Sequence, residues 1–175
     1  EANMSTEDYL AELDLLDAEE IAEKVELLNI APILKEKGFS AEDLYFNTKI
    51  GFGFNYVDKS LDITHDNDPQ GDHGTHVAGI ATANRYIRQG SGFASAAETV
   101  LTCGIAPEAQ LLVMKVFGKN GGAYDSDYMA AIEDAIVLGA DVVNLSLGSA
   151  NPGFTTNDLY QDLSLIHISE PTRLA

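Results

Sequence analysis

Two apolar runs, Leu111–Phe117 and Val142–Leu147, flank a single stretch of helical periodicity, and this constrains the fold more than any other feature. The first run is interrupted only by Lys115 and reads as a buried strand. Gly118 to Ala123 forms a glycine-rich loop. Ser126 then offers a cap for a helix on which Met129, Ile132 and Ile136 share a face, while Glu133 and Asp134 point away. Gly139 ends it. Strand, helix and strand with short links make a βαβ unit, so two parallel strands with a right-handed crossover are expected. Upstream, Phe52, Phe54 and Tyr56 alternate with smaller or polar residues and predict a further strand. The fold class is therefore α/β, a mainly parallel sheet with flanking helices.

The first part of the chain differs in character. Residues 1–48 carry 13 Asp+Glu against 3 Lys+Arg and predict an acidic helical segment. Ser5-Thr6-Glu7-Asp8 offers a helix cap with acids in the first turn. Leu10, Leu13 and Leu16, then Ile21, Val25 and Leu28, fall at helical spacings. Pro32 and Gly38 should break that pattern, and Ser40-Ala41-Glu42-Asp43 should start one more short helix. This acid contributes to a net charge of −18, which argues against nucleic-acid binding, because a phosphate backbone would be repelled. An apolar fraction of 45% argues against disorder throughout. No apolar run approaches the ~20 residues of a membrane span. The single cysteine, Cys103, rules out an internal disulfide framework and a cysteine-based zinc site.

His73 to Asn84 contains no Asp, Glu, Lys or Arg and is rich in Gly and Ala, a composition that lets a helix approach a sheet closely. His73 stands in its first turn, after a polar loop. The partial positive charge of a helix N-terminus disfavours an imidazolium there, leaving a ring able to accept a proton from a hydroxyl. His76 lies one turn further in. Asp66, Asp68, Asp72, His73 and His76 also fall close together and leave a divalent-metal hydrolase open as an alternative. A non-catalytic acidic interaction module is the other alternative.

His73-Gly74-Thr75-His76-Val77-Ala78-Gly79-Ile80-Ala81 resembles the histidine motif of the subtilisin-like serine proteases. Gly104-Ile105-Ala106-Pro107-Glu108-Ala109 is similar to the turn before a core strand in that family, and Asp141 to Ser149 to its strand at the substrate cleft. Tyr45-Phe46-Asn47 with Gly53-Phe54-Asn55-Tyr56 resembles a narrower group, the cell-envelope proteinases of lactic bacteria and the streptococcal complement-cleaving peptidases. The resemblance divides the chain into an acidic helical insert at 1–48 and part of a peptidase domain at 49–161. It implies a serine endopeptidase acting on an extended polypeptide. His73 would be the general base. Ser146, Leu147 and Gly148 would form one wall of the cleft, and Gly121 and Gly122 the other, so that substrate adds as a strand between them. No cofactor is required for catalysis, no catalytic metal is expected, and the full-length parent has room for structural calcium. A secreted or wall-associated bacterial setting follows from the same resemblance.

The family's Asp-Ser/Thr-Gly motif does not precede His73, and its oxyanion asparagine and Gly-Thr-Ser motif are not found here. Asn144 does not match that asparagine. Leu163 to Arg173 resembles the translation of a transposase-type sequencing adapter, so residues 162–175 are expected to be a non-native tail. The chain is thus expected to be a piece of such an enzyme, inactive by itself.

Overall fold

The computed structural model describes Leu13, residues 15–66, Asp68 and residues 71–147. The expected helix cap at Ser5–Asp8, Gly148 and residues 162–175 lie outside the described residues.

Asp17 opens helix α1 (Ala18–Lys24) with a capping box. Its Oδ1 accepts from the amides of Glu19 at 2.8 Å and Glu20 at 2.9 Å, and Glu20 accepts from the Asp17 amide at 3.2 Å. Ile21 is fully buried. A 3₁₀ turn, Val25–Leu27, ends the helix, so Val25 and Leu28 do not continue it as the spacing predicted. Pro32 does not break a helix but sits in the first turn of α2 (Ala31–Lys37). A missing N–H costs nothing there, because it would have had no intrahelical partner. Gly38 closes α2. The short helix expected after Ser40 is a 3₁₀ turn, Glu42–Leu44. Ser40 donates from its amide and hydroxyl to Asp43 Oδ2 at 2.7 and 2.8 Å.

Strand β1 (Ile50–Asn55) carries out the alternation seen in the sequence. Phe52, Phe54 and the following Tyr56 are fully buried on one side. Each contributes on the order of 1.5–3 kcal/mol by leaving water. The other side is also covered. A Cβ at Gly53 would stand 2.6 Å from the Phe46 ring and 2.8 Å from Ile63, so these side chains would have to shift to admit one. Cover on both faces is typical of parallel strands.

Helix α3 (His73–Thr82), the antiparallel hairpin of β2 (Tyr86–Gln89) and β3 (Gly92–Ser95), and the short α4 (Ala96–Thr99) follow. The hairpin had no counterpart among the sequence expectations. β4 (Leu111–Lys115) then pairs parallel with β1, placing Phe52 against Leu112, Phe54 against Met114 and Asn55 against Lys115. Helix α5 (Asp125–Leu138) starts after Tyr124, without a side-chain cap from Ser126, and ends at Gly139 with φ +92°.

The architecture is α/β with a parallel pair and flanking helices, but the pair is not the expected one. Val142–Leu147 forms no strand. Val142 is 82% exposed and Leu145 50%. An apolar, β-branched run favours extension, but it becomes a strand only against a partner backbone, and among the described residues the sheet holds only β1 and β4.

The buried face of α5 also differs from the expected one. It is Asp127, Ala131, Asp134, Ala135 and Leu138, whereas Met129, Ile132 and Ile136 are half-buried. Asp134 points inward and is fully buried. Burial is tolerated because three donors meet its carboxylate: the Asn29 amide at 2.6 Å, Asn29 Nδ2 at 3.1 Å and the Tyr56 hydroxyl at 2.9 Å. Leu16, Ile21, Leu28 and Leu34 from the acidic helical segment share one hydrophobic cluster with Phe52, Phe54, Tyr56, Ala131 and Leu138. Gln110 adds a polar clasp. Its side chain accepts from the Leu16 amide and donates to the carbonyls of Leu16 and Thr48, each at 2.9 Å.

Candidate functional site

The carboxyl ends of β1 and β4 lie side by side at Asn55 and Lys115. In open parallel sheets that edge is where ligands and catalytic groups gather. The chain leaves β1 there and returns as α3, with Asp72 at the N-cap and His73 as the first helical residue.

His73 is exposed. No described residue hydrogen-bonds its ring, so the imidazole is open to a group from elsewhere. The His76 side chain, one turn further in, is 70% exposed. Its Nε2 pairs with Asp72 Oδ2 at 3.2 Å, one helical turn back. Thr75 Oγ1 lies 3.3 Å from His65 Nδ1.

The small residues of α3 do not serve close packing along its length. A Cβ at Gly74 or Gly79 would meet nothing within 4 Å among the described residues. Residues 77–79 are half-buried, and full burial comes only at the C-terminal end, at Thr82. There the segment Gly104-Ile105-Ala106 docks, its amides donating to the carbonyls of Ala83, Ile80 and Ala81 at 2.9, 3.1 and 2.8 Å. These bonds satisfy carbonyls that a helix end leaves without partners. The approach demands glycine, since a Cβ at Gly104 would stand 2.3 Å from the Ala83 nitrogen. Lys49 fixes the next stretch, donating to the carbonyls of Pro107 and Ala109, each at 2.7 Å. Burial lowers the Lys49 ammonium below the usual lysine range.

Gly121 and Gly122 lie in a tight turn beyond β4. The Gly121 amide donates to the Gly118 carbonyl at 2.8 Å, and the Gly118 amide to the Gly122 carbonyl at 3.0 Å. Asp58 anchors this turn to the end of β1 by accepting from the Lys119 amide at 2.9 Å, a bond that holds its carboxyl below the usual range. Ser146 and Leu147 belong to a separate unit beginning at Asn144, in which Asn144 Nδ2 donates to Ser146 Oγ at 3.0 Å.

The alternative metal cluster does not assemble. Among the described residues no three His, Cys, Asp or Glu side chains converge. Asp68 engages Lys115, and Asp72 engages His76. Sequence reasoning missed two polar groupings. One is Asn29, Tyr56 and Asp134. The other is Lys115 with Asp68, signalled by the lone charge in an apolar strand.

The sequence model of the subtilase family matches residues 36–170, a span that runs past residue 162. The PI-type proteinase of Lactococcus lactis subsp. cremoris is 47% identical over 118 residues, covering 65% of this chain and 6% of that protein. The minor extracellular protease Vpr of Bacillus subtilis is 38% identical over 112 residues, covering 60% of this chain and 12% of that protein. The C5a peptidase of Streptococcus pyogenes is 39% identical over 117 residues, covering 66% of this chain and 9% of that protein. The chain thus spans a small part of the length of the curated relatives it matches. No solved structure matches it.

Proposed function

The chain belongs to the subtilase family, and from that premise we propose that it is part of the catalytic domain of a serine endopeptidase. The observation that carries the reading is His73, open to solvent at the start of α3 and delivered from the carboxyl edge of a parallel pair. In this role the imidazole takes the proton from a serine hydroxyl as that oxygen attacks a peptide carbonyl, then returns it to the leaving amine. The serine, an aspartate to orient the ring and an oxyanion donor come from parts of the parent outside this sequence. Alone, these 175 residues therefore turn over no substrate.

The substrate is a polypeptide in extended form. Gly121 and Gly122 on one side, and Ser146, Leu147 and Gly148 on the other, are the proposed walls with which its backbone pairs. Catalysis needs no cofactor, and calcium would act in the parent as a structural ion. A location outside the cytoplasm, secreted or at the wall, is supported by the name of the relative from Bacillus subtilis. Among the described residues no helix is long and apolar enough to cross a membrane.

The test uses a phosphonofluoridate active-site probe and a fluorogenic peptide. A longer protein containing this sequence should label on one serine and cleave the peptide, and the 175-residue chain should do neither. Labelling of any serine within the chain would overturn the reading.

A further inference from the structure

Lys115 is the one charged residue of the run Leu111–Phe117 and the last residue of β4. Its side chain is only 14% exposed. The ammonium donates to the Thr64 carbonyl at 2.9 Å and pairs with Asp68, whose side chain is 7% exposed. Both partners lie in the connection from β1 to α3.

From Asp68 the hold passes toward the site. The Asp68 carbonyl accepts from the Gly71 amide at 3.1 Å. The next residue is Asp72, the N-cap of α3, and then comes His73. Thr64 is fixed from the other direction. Its amide and hydroxyl donate to Asp62 Oδ1 at 3.0 and 2.7 Å, and Asn55 at the end of β1 donates to the Asp62 carbonyl at 3.2 Å. The connection is thus tied to the ends of both parallel strands.

A largely buried ion pair is a poor device for stability, because desolvating two charges offsets most of their attraction. Apolar residues in place of both partners would often be as stable. What the pair supplies is a fixed geometry upstream of one imidazole.

We propose that Lys115 is a positioning residue for His73, acting through Asp68 and the Thr64 carbonyl to set where the imidazole stands relative to the carboxyl edge of the sheet. Lys115 touches no reacting atom. The inference rests on the reading of His73 as general base.

The test is steady-state kinetics in a longer peptidase containing this sequence, with Lys115→Met, Asp68→Asn, the double variant, Lys115→Arg and His73→Ala. Lys115→Met keeps the aliphatic stem and removes the charge. Each single variant should lower kcat about tenfold to a hundredfold, the scale of a catalytic group displaced by about an ångström, with KM within about twofold. The double variant should lose no more than the weaker single, since both changes break one link. Lys115→Arg should recover most of the loss. Unchanged kcat in folded single variants, losses that multiply, or losses confined to KM would overturn the proposal. Failure of both single variants to fold would overturn it as well, by making the pair part of the core. If His73→Ala keeps full turnover, the general-base reading is what fails. Deuterium exchange then examines the hold separately: Lys115→Met should speed exchange at the Gly71 amide, and an unchanged rate would refute the link.

Discussion

The Tyr56 hydroxyl donates to Asp134 Oδ2 at 2.9 Å, joining the end of β1 to the middle of α5 in the interior of the protein. Asn29 completes the arrangement from the acidic helical segment, with its amide on Asp134 Oδ1 and its Nδ2 shared between Asp134 and Glu133. Burial, reinforced by the neighbouring carboxylate, pushes the Tyr56 hydroxyl far above the usual phenol range. Asp134→Ala removes the common acceptor and leaves the buried Tyr56 hydroxyl without one. A stranded buried donor costs about 1–3 kcal/mol, which is the expected loss. Urea unfolding of a protein containing this sequence measures it, and a loss no larger than that of an exposed Asp→Ala control would contradict it.

The same carboxyl predicts a pH dependence. Burial raises Asp134 above its ordinary value of 3.8, against the lowering effect of the bonds from Asn29 and Tyr56. The fold therefore favours the protonated form. Its contribution to stability is complete below 3.8 and is lost as pH rises through the raised value. Asp134→Asn keeps an acceptor for Tyr56 but cannot titrate. The advantage of the natural residue over Asn should be greatest in acid and shrink toward neutrality. Urea midpoints of both proteins between about pH 3.5 and 7 decide it, and an advantage that grows with pH would reverse the sign assigned here.

How much could be read from the sequence depended on how local the cause was. Phe52, Phe54 and Tyr56 announced β1 because alternation is a property of the strand itself. His73–Thr82 and the end of α5 at Gly139 were legible for the same reason. Val142–Leu147 misled because its apolar side chains carry no information about whether a partner backbone is present. Asp134 misled because a charge on a helix is expected to face water, and its partners lie 78 and 105 residues away. Pro32 misled because proline ends a helix when inside it and starts one when in its first turn. The helix that His73 opens was legible, but the Lys115–Asp68 link behind it was not, since it spans 47 residues of sequence.

Gly104 should tolerate no side chain. A Cβ there would lie 2.3 Å from the Ala83 nitrogen and 2.5 Å from the Thr82 carbonyl carbon, both backbone atoms that cannot swing aside. Gly104→Ala must push residues 104–106 away from the end of α3 and weaken three backbone hydrogen bonds. The expected cost is about 1–3 kcal/mol, as for other overpacked sites. It should appear as a lower thermal midpoint together with faster deuterium exchange at the amides of Ile105 and Ala106. Unchanged exchange at those two amides would show that the docking absorbs a methyl group.

The two histidines of the motif should separate sharply. His73 is the proposed proton acceptor. His73→Ala in an active parent should cost on the order of 10⁶ in kcat, the loss seen when a member of such a catalytic unit is removed. The His76 side chain is 70% exposed, and its ring's only described polar partner is the carboxylate of Asp72, itself 57% exposed. Surface pairs of this spacing contribute about 0.3–0.5 kcal/mol at most, so His76→Ala should change stability by no more than that. It should also leave turnover within about an order of magnitude of the parent, because its ring carries no step of the proton transfer. Parallel measurements of kcat and of the unfolding midpoint on both variants test this. If His76→Ala abolished turnover in a fully folded protein, the general base would have been assigned to the wrong ring.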